Sequence, residues 1–249
     1  MTTVGGSGVP APEVVRDRLA AVERRIRVAA EQAGRDPETI TLVAVSKTFA
    51  AEQVAELLRA GQVVFGENRV QEARDKIPAV AALWDGPPPF WRLIGHLQRN
   101  KVRQALALFG AVDSVDSIRL LDEIARETAG DGIALPVLLE FNCSGEASKE
   151  GFDPAAVADV AARLKSIEGV DPQGLMTVGP LADDPEAARP AFRRLRELRE
   201  ELADRLGRAL PVLSMGMSGD LEIGIQEGAT MVRVGTALFG SRDASGGIR

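Results

Sequence analysis

Lys47 lies near the end of TLVAVSKTF, residues 41–49, an apolar and β-branched run of the kind that is buried on both faces. Strand side chains repeat every two residues, so Val43, Val45 and Lys47 share one face. A lysine placed there either snorkels to a rim and pairs with a carboxylate, or sits partly desolvated or beside another cation. In the second case more of the amine is neutral, and a neutral amine attacks carbonyl carbons to form Schiff bases. Arg233 lies inside a second apolar run, ATMVRVG, residues 229–235. A guanidinium in a buried strand needs a partner. That partner is a structural carboxylate such as Glu140, or a ligand atom. Two further stretches suit an anion. SMGMSGD, residues 214–220, offers Ser218 among glycines, and in VRVGTALFG, residues 232–240, Gly235 and Thr236 open a short helical segment. Either alone is an ordinary helix cap. Together, at the ends of the last two strands, they suit a phosphate, which hydroxyls and unpaired backbone N–H groups bind well.

The remaining polar candidates are less committed. FGEN, residues 65–68, ends a strand with Glu67 and Asn68, and Asn68 is either a helix cap or a pocket residue. His96 is the single histidine, read as a structural residue or a strand-end catalyst. Arg99, Lys101 and Arg103 read as a solvated or inter-helix patch, and SGEASKEG, residues 144–151, as a mobile loop carrying Lys149. Composition narrows the chemistry. One cysteine, Cys143, excludes an internal disulfide, and one histidine argues against a zinc site built on His and Cys. No metal is expected. A net charge of −6 argues against nucleic acid but leaves room for a small phosphorylated ligand. No apolar run approaches the roughly 20 residues that span a bilayer, and the N-terminal residues lack the features of a secretory signal. A cytoplasmic protein with no membrane partner is expected. No large exposed apolar face is legible, which makes a monomer the default.

These residues need elements to hold them. The periodicity predicts a helix from Pro12 with Val15, Leu19, Val22, Ile26 and Ala29 on its buried face, stopping near Gly34. Short apolar runs then alternate with amphipathic helical stretches. Strands are predicted near 41–46, 62–66, 91–97, 111–115, 135–142, 172–178, 210–216 and 229–235. Helices are predicted near 50–61, 68–83, 100–110, 118–130, 155–167, 188–207 and 220–228, with Pro190 leaving the start of the long one open. Eight strand–helix units in 249 residues favour a single α/β domain, a (β/α)8 TIM barrel with an extra N-terminal helix. Periodicity alone leaves an open sheet as the alternative. The barrel is assigned to residues 13–242, between flexible tails at 1–12 and 243–249.

AVSKT, FGENRVQEA, IGHLQRNK, EASKEG, GLMT and LSMGMSGDLEIGIQEGATMVRVGTALFG, taken in order, resemble the pyridoxal 5′-phosphate homeostasis protein family. They run from about residue 43 to 240. That family is similar to the N-terminal barrel of alanine racemase, the fold-type III group of pyridoxal-phosphate proteins. The resemblance implies that Lys47 holds pyridoxal 5′-phosphate as a Schiff base. It implies that Ser218, Gly235 and Thr236 bind the phosphate and that Arg233 faces the pyridine nitrogen. It places Asn68, Met215 and Met217 in the pocket and His96 beside the ring. GLMTVGP departs slightly from the family's turn at Val178-Gly179. A guanidinium only donates and cannot accept a hydrogen bond from a protonated ring nitrogen, so that nitrogen is expected to be neutral and the ring a weak electron sink. Racemases of this fold also use a tyrosine, and this chain has none, so His96 or Cys143 would have to serve as second base. The resemblance therefore implies a carrier and buffer in intracellular vitamin B6 homeostasis, with apo-enzymes as recipients and no robust turnover. A single-domain amino-acid racemase is the alternative. An unrelated phosphosugar-binding barrel is a weaker one.

Overall fold

A computed structural model describes residues 9–129, 132, 134–146 and 149–240. The tails expected at 1–12 and 243–249 lie largely or wholly outside the described residues, as do Ala147 and Ser148 of the expected mobile loop. In chain order the elements are α1 (Pro12–Gln32), β1 (Thr41–Val45), α2 (Ala51–Arg59), β2 (Val64–Glu67), α3 (Val70–Ala82), β3 (Phe90–Leu93), α4 (Val102–Leu106) and β4 (Ala111–Val115). There follow α5 (Ile118–Thr128), β5 (Leu135–Glu140), α6 (Val157–Leu164), β6 (Val170–Met176), α7 (Arg189–Leu206), β7 (Val212–Ser214), α8 (Leu221–Gln226), β8 (Met231–Val234) and α9 (Thr236–Phe239). The strands pair in parallel in chain order and close, β8 returning to β1 from Thr41 opposite Met231 to Ala44 opposite Val234. The open sheet is thereby excluded. No helix among the described residues is long and apolar enough to cross a membrane.

Two apolar compartments follow from the strand period. Ala44, Val232 and Val234 point outward into the layer between barrel and helices. Val43, Leu138, Met176 and Met231 point inward and form the floor of the barrel. Two residues further along each of those strands, the inward positions are Val45, Glu140, Val178 and Arg233. The site is built on this upper layer. The first helix closes against the barrel with the stripe Val15, Leu19, Val22, Ile26 and Ala29, all buried.

Several elements differ from the sequence expectation. β3 stops at Leu93 rather than running to 97. Ile94 still donates its N–H to the Glu67 carbonyl, and then the chain leaves at Gly95, passing so close to Asn68 that a Cβ would lie 2.5 Å from its carbonyl oxygen. His96 therefore stands on a turn and not on a strand. The helix expected over 100–110 shrinks to Val102–Leu106, because Leu108 and Phe109 both donate to the Ala105 carbonyl and Gly110 turns to pair with Trp91. β6 begins at Val170 and carries Pro172 inside it. A register shift against β5 absorbs the missing donor there. Pro190 falls in the first turn of α7, where its lack of an N–H is harmless.

Candidate functional site

A cavity of about 510 Å³ opens at the C-terminal ends of the strands. Its walls include Lys47, Asn68, Met217, Ser218, Arg233, Gly235 and Thr236, residues drawn from β8, from the turns just after β1 and β2, from the loop after β7 and from the start of α9. Val45, Phe49, Ile94, Val178 and Gly219 complete it and make much of the lining apolar. Lys47 stands in the turn two residues beyond the end of β1 and still lines the cavity beside Val45. Among the described residues its ammonium has no hydrogen-bond or ion-pair partner, so it is not tied to a rim carboxylate.

The backbone beside Lys47 is unusual. Thr48 has φ 66, the one positive φ at a non-glycine among the described residues. A β-branched residue in the left-handed region costs about 1–3 kcal/mol and persists only where its surroundings hold it. Here the Thr48 N–H is accepted by the Glu72 carboxylate. Phe49 stacks on Phe239 of α9 with ring centroids 4.4 Å apart, which ties the turn after β1 to the element that carries Thr236.

Arg233 is buried. It donates from Nη1 to Ser214 Oγ at 2.7 Å and from Nη2 to the Thr177 carbonyl at 2.8 Å. The structural ion pair with Glu140 that the sequence allowed is not formed. Burial lowers the Arg233 pKa from its ordinary value, opposed by the carboxylates of Asp113, Glu140 and Asp220. Glu140, on the same inward layer, has its pKa raised to about 7. Burial is the main cause. Asp116 and Glu150 add to it, while Arg233 and His96 oppose it. Below these groups Arg92 makes a bidentate pair with Asp113, both bonds 2.7 Å long. The sequence reading missed this pair. Its signal was the arginine in FWRL and the aspartate in AVDSV, each a polar residue within a buried strand.

The anion side is braced from outside the barrel. Arg25 of α1 donates to the Ser218 carbonyl at 3.0 Å and holds Glu222 of α8 through two bonds of 2.6 and 2.9 Å. Arg18 of the same helix donates to the Phe239 carbonyl at 2.8 Å. Asp220, not Ser218, precedes α8, and its carboxylate accepts the Met217 N–H at 2.6 Å. The Ser218 and Thr236 side chains have no partner among the described residues. The first N–H groups of α9 have none within the helix. Asn68 likewise does not cap α3, which begins after Arg69, and its Oδ1 is buried without a partner. An unpaired amine, two hydroxyls, an orphaned amide oxygen and a buried guanidinium thus converge on one cavity. That donor set fits a phosphorylated aromatic aldehyde, with the amine at one side and the anion-binding loops at the other.

Two expected pocket residues are not brought there. Met215, one residue past β7 and opposite in parity to the inward Ser214, is fully buried in the layer beneath the helices and does not line the cavity. His96 lines a neighbouring depression with Asn68, Arg69, Gln98 and Lys101, and pairs through Nδ1 with Asp116 at 2.8 Å. With Glu150 these two place one ligand atom each within 4.8 Å of one another. The His96–Asp116 hydrogen bond accounts for much of that grouping. Cys143 is partly buried in the core's margin, and its thiol is pushed up to about 11 by burial, with a Thr177 hydrogen bond opposing. It stays protonated at neutral pH and is not a base. Lys149 is held by Glu146 and the Gly179 carbonyl, each at 2.7 Å.

Comparison with known proteins places these features in a family. Residues 18–243 match the model of the alanine racemase N-terminal domain. The chain is 42% identical over 226 residues to the pyridoxal phosphate homeostasis protein of Aquifex aeolicus, covering 91% of this chain and 97% of the relative. It is 44% identical over 229 residues to that of Pseudomonas aeruginosa, covering 92% and 96%. The solved structure of PipY from Synechococcus elongatus with PLP bound superposes with a TM-score of 0.79 at 34% identity, covering 91% of this chain and all of that one.

Proposed function

The chain belongs to the alanine racemase N-terminal domain family and, within it, to the pyridoxal phosphate homeostasis proteins, and from that membership we propose that it binds pyridoxal 5′-phosphate reversibly through Lys47 and acts as an intracellular carrier and buffer of that cofactor. The observation that carries this reading is the convergence of the unpaired Lys47 amine and the Ser218, Gly219, Gly235 and Thr236 elements on one cavity. When bound, the group supplies an aldehyde carbon with which a neutral amine condenses, losing one water. Lys47 provides that amine from a largely apolar wall, where no hydrogen-bond or ion-pair partner among the described residues ties it elsewhere. Ser218 and Thr236 donate hydroxyls, and Gly219 and Gly235 let backbone approach the phosphate. Arg233, pinned by Ser214 and Thr177, would offer the ring nitrogen a donor and, having no acceptor atom, would not stabilise that nitrogen in its protonated form. Asn68 offers its orphaned oxygen to a ring substituent, and Met217 covers the open side.

This arrangement favours holding the cofactor over turning over amino acids. Two-sided proton transfer needs a base on each face of the ring. The residues that could have supplied the second one are the protonated Cys143 thiol and His96, which faces Asp116 outside the cavity. Apo-enzymes that use the same cofactor are the natural recipients of what is released. The test is direct. Load the purified protein with pyridoxal 5′-phosphate, reduce it with borohydride, and map the pyridoxyl label. Label on Lys47, lost in Lys47→Ala, is expected. A label found only elsewhere refutes the binding mode. Rapid loss of optical activity from a single-enantiomer amino acid refutes the carrier role.

A further inference from the structure

A second lysine is buried between α3 and the ends of β1 and β2, beside the turn that carries Lys47. Lys76 of α3 is buried, and its ammonium donates three hydrogen bonds, each of 2.7 Å. The acceptors are the Ser46 carbonyl, Glu67 Oε1 and Glu72 Oε1. A lysine ammonium has three protons, and all of them are committed. Two of these acceptors bracket Lys47. The Ser46 carbonyl belongs to the peptide just before it. Glu72, besides accepting from Lys76, accepts the N–H of Thr48, just after it. The third acceptor, Glu67, also takes the Ser46 hydroxyl at 2.7 Å, so the side chain and the carbonyl of Ser46 are both tied to one cluster. The only left-handed non-glycine among the described residues, Thr48, sits where the two ties meet.

The geometry points to Lys76 as a positioning residue for the proposed chemistry of Lys47: with Glu67 and Glu72 it clamps the peptides on either side of Lys47, holds Thr48 left-handed, and thereby aims the Lys47 amine into the cavity. This rests on the proposed reaction at Lys47. A desolvated triad is an expensive way to hold a helix against a strand, where apolar side chains do as well or better. What it offers instead is direction, since each bond fixes one peptide group. Without Lys76, Glu72 loses its charge partner and is no longer held in place against the Thr48 N–H. The chain then relaxes toward an ordinary backbone conformation, and Lys47 swings with it. Burial raises the Glu67 pKa, against the opposing Lys76 and Ser46 contacts, and Lys76 is buried beside it, while Glu72 stands at the cluster's partly exposed edge.

The test compares wild type, Lys76→Met, Thr48→Gly and the double variant. Adduct formation with pyridoxal 5′-phosphate is followed by visible absorbance and by mapping the borohydride-fixed label. Binding of pyridoxamine 5′-phosphate, which has the phosphate and ring but no aldehyde, is measured by calorimetry. Lys76→Met is expected to slow the reaction of Lys47 about tenfold or more, as loss of a held geometry does. Pyridoxamine 5′-phosphate affinity should stay within about twofold, because the anion loops are untouched. Thr48→Gly should restore much of the lost rate in the Lys76→Met background, since glycine adopts this φ without being held. An equal rate in Lys76→Met, or no recovery on adding Thr48→Gly, overturns the assignment. If circular dichroism shows Lys76→Met unfolded, Glu72→Ala takes its place. Glu72 is partly exposed and its loss removes the Thr48 acceptor, so an unchanged Lys47 rate there also overturns the assignment. A wild-type chain that takes no label at Lys47 refutes the proposed function itself, a result distinct from any of these.

Discussion

Replacing Glu140 by glutamine tests how the barrel mouth balances burial against charge. Glu140 has its pKa raised from an ordinary 4.5 to about 7, with burial outweighing the attraction of Arg233. The sign of the effect on stability follows. Below about pH 4.5 the carboxyl is protonated in both folded and unfolded chains, and no penalty arises. As the pH rises, the unfolded chain ionises first and binds fewer protons than the folded one, so stability falls. The loss is complete once the pH passes the folded value of about 7. At 1.36 kcal/mol for each pH unit between the two values, the penalty approaches about 3 kcal/mol, an upper figure because side-chain rotation toward water relieves part of it. Glutamine has nearly the same shape and no charge to desolvate. Urea unfolding of wild type and Glu140→Gln, followed by tryptophan fluorescence at pH 4.5, 6 and 8, measures the gap directly. The variant should gain on the wild type from pH 4.5 to pH 8 by about 1–3 kcal/mol. A gap that does not change with pH, or one that favours the wild type more strongly at pH 8, would refute the reasoning. It would mean that Arg233 holds the carboxylate ionised despite its burial.

Two further perturbations probe the brace and the frame. Arg25→Met removes the two bonds to Glu222 and the one to the Ser218 carbonyl. This ion pair is half exposed, so unfolding free energy should drop by less than about 1 kcal/mol, while pyridoxamine 5′-phosphate should bind severalfold more weakly by calorimetry. Unchanged binding would show that α1 does not steady the anion loop. Gly174→Ala places a Cβ 1.8 Å from the Val212 carbonyl oxygen, between β6 and β7. Overpacking against backbone should lower stability by about 3 kcal/mol or leave the protein insoluble, and a thermal midpoint equal to wild type would contradict the close approach.

The architecture was legible because it rests on local pattern. Apolar runs that alternate with amphipathic stretches specify parallel strands under helices, and the two-residue repeat that carries Val43 and Val45 inward pointed to Lys47, which lines the cavity from the turn just beyond β1. The same repeat carries Met231 and then Arg233. The long loop motif from Leu213 to Gly240 kept Ser218, Gly235 and Thr236 together because they are near in sequence and fall at two adjacent strand ends. Extension of a strand was less legible. Nothing in WRLIGHL announces that the chain leaves the sheet at Gly95, since the cause is the Asn68 backbone, contributed by another segment. His96 was placed wrongly for that reason. Met215 was misplaced because a single residue of parity moves a side chain from the mouth of the barrel to the helical layer.

By itself the sequence determined which side chains could face inward, since alternation is a property of consecutive residues. It determined as well that an amine, a guanidinium and two hydroxyl-bearing turns would stand at strand ends. Only the tertiary structure decided which of them meet. Closure of β8 on β1 sets Arg233 beside Val43 and brings the last two loops against the first strand. The Lys76 clamp, the Arg92–Asp113 pair and the Arg25 brace each join residues from separate elements, and no local pattern marks a contact whose two halves lie on different elements. The burial of Lys76 and Asp113, and with it the raised carboxyl of Glu140, is a property of the closed barrel, because desolvation depends on every segment that excludes water from the site.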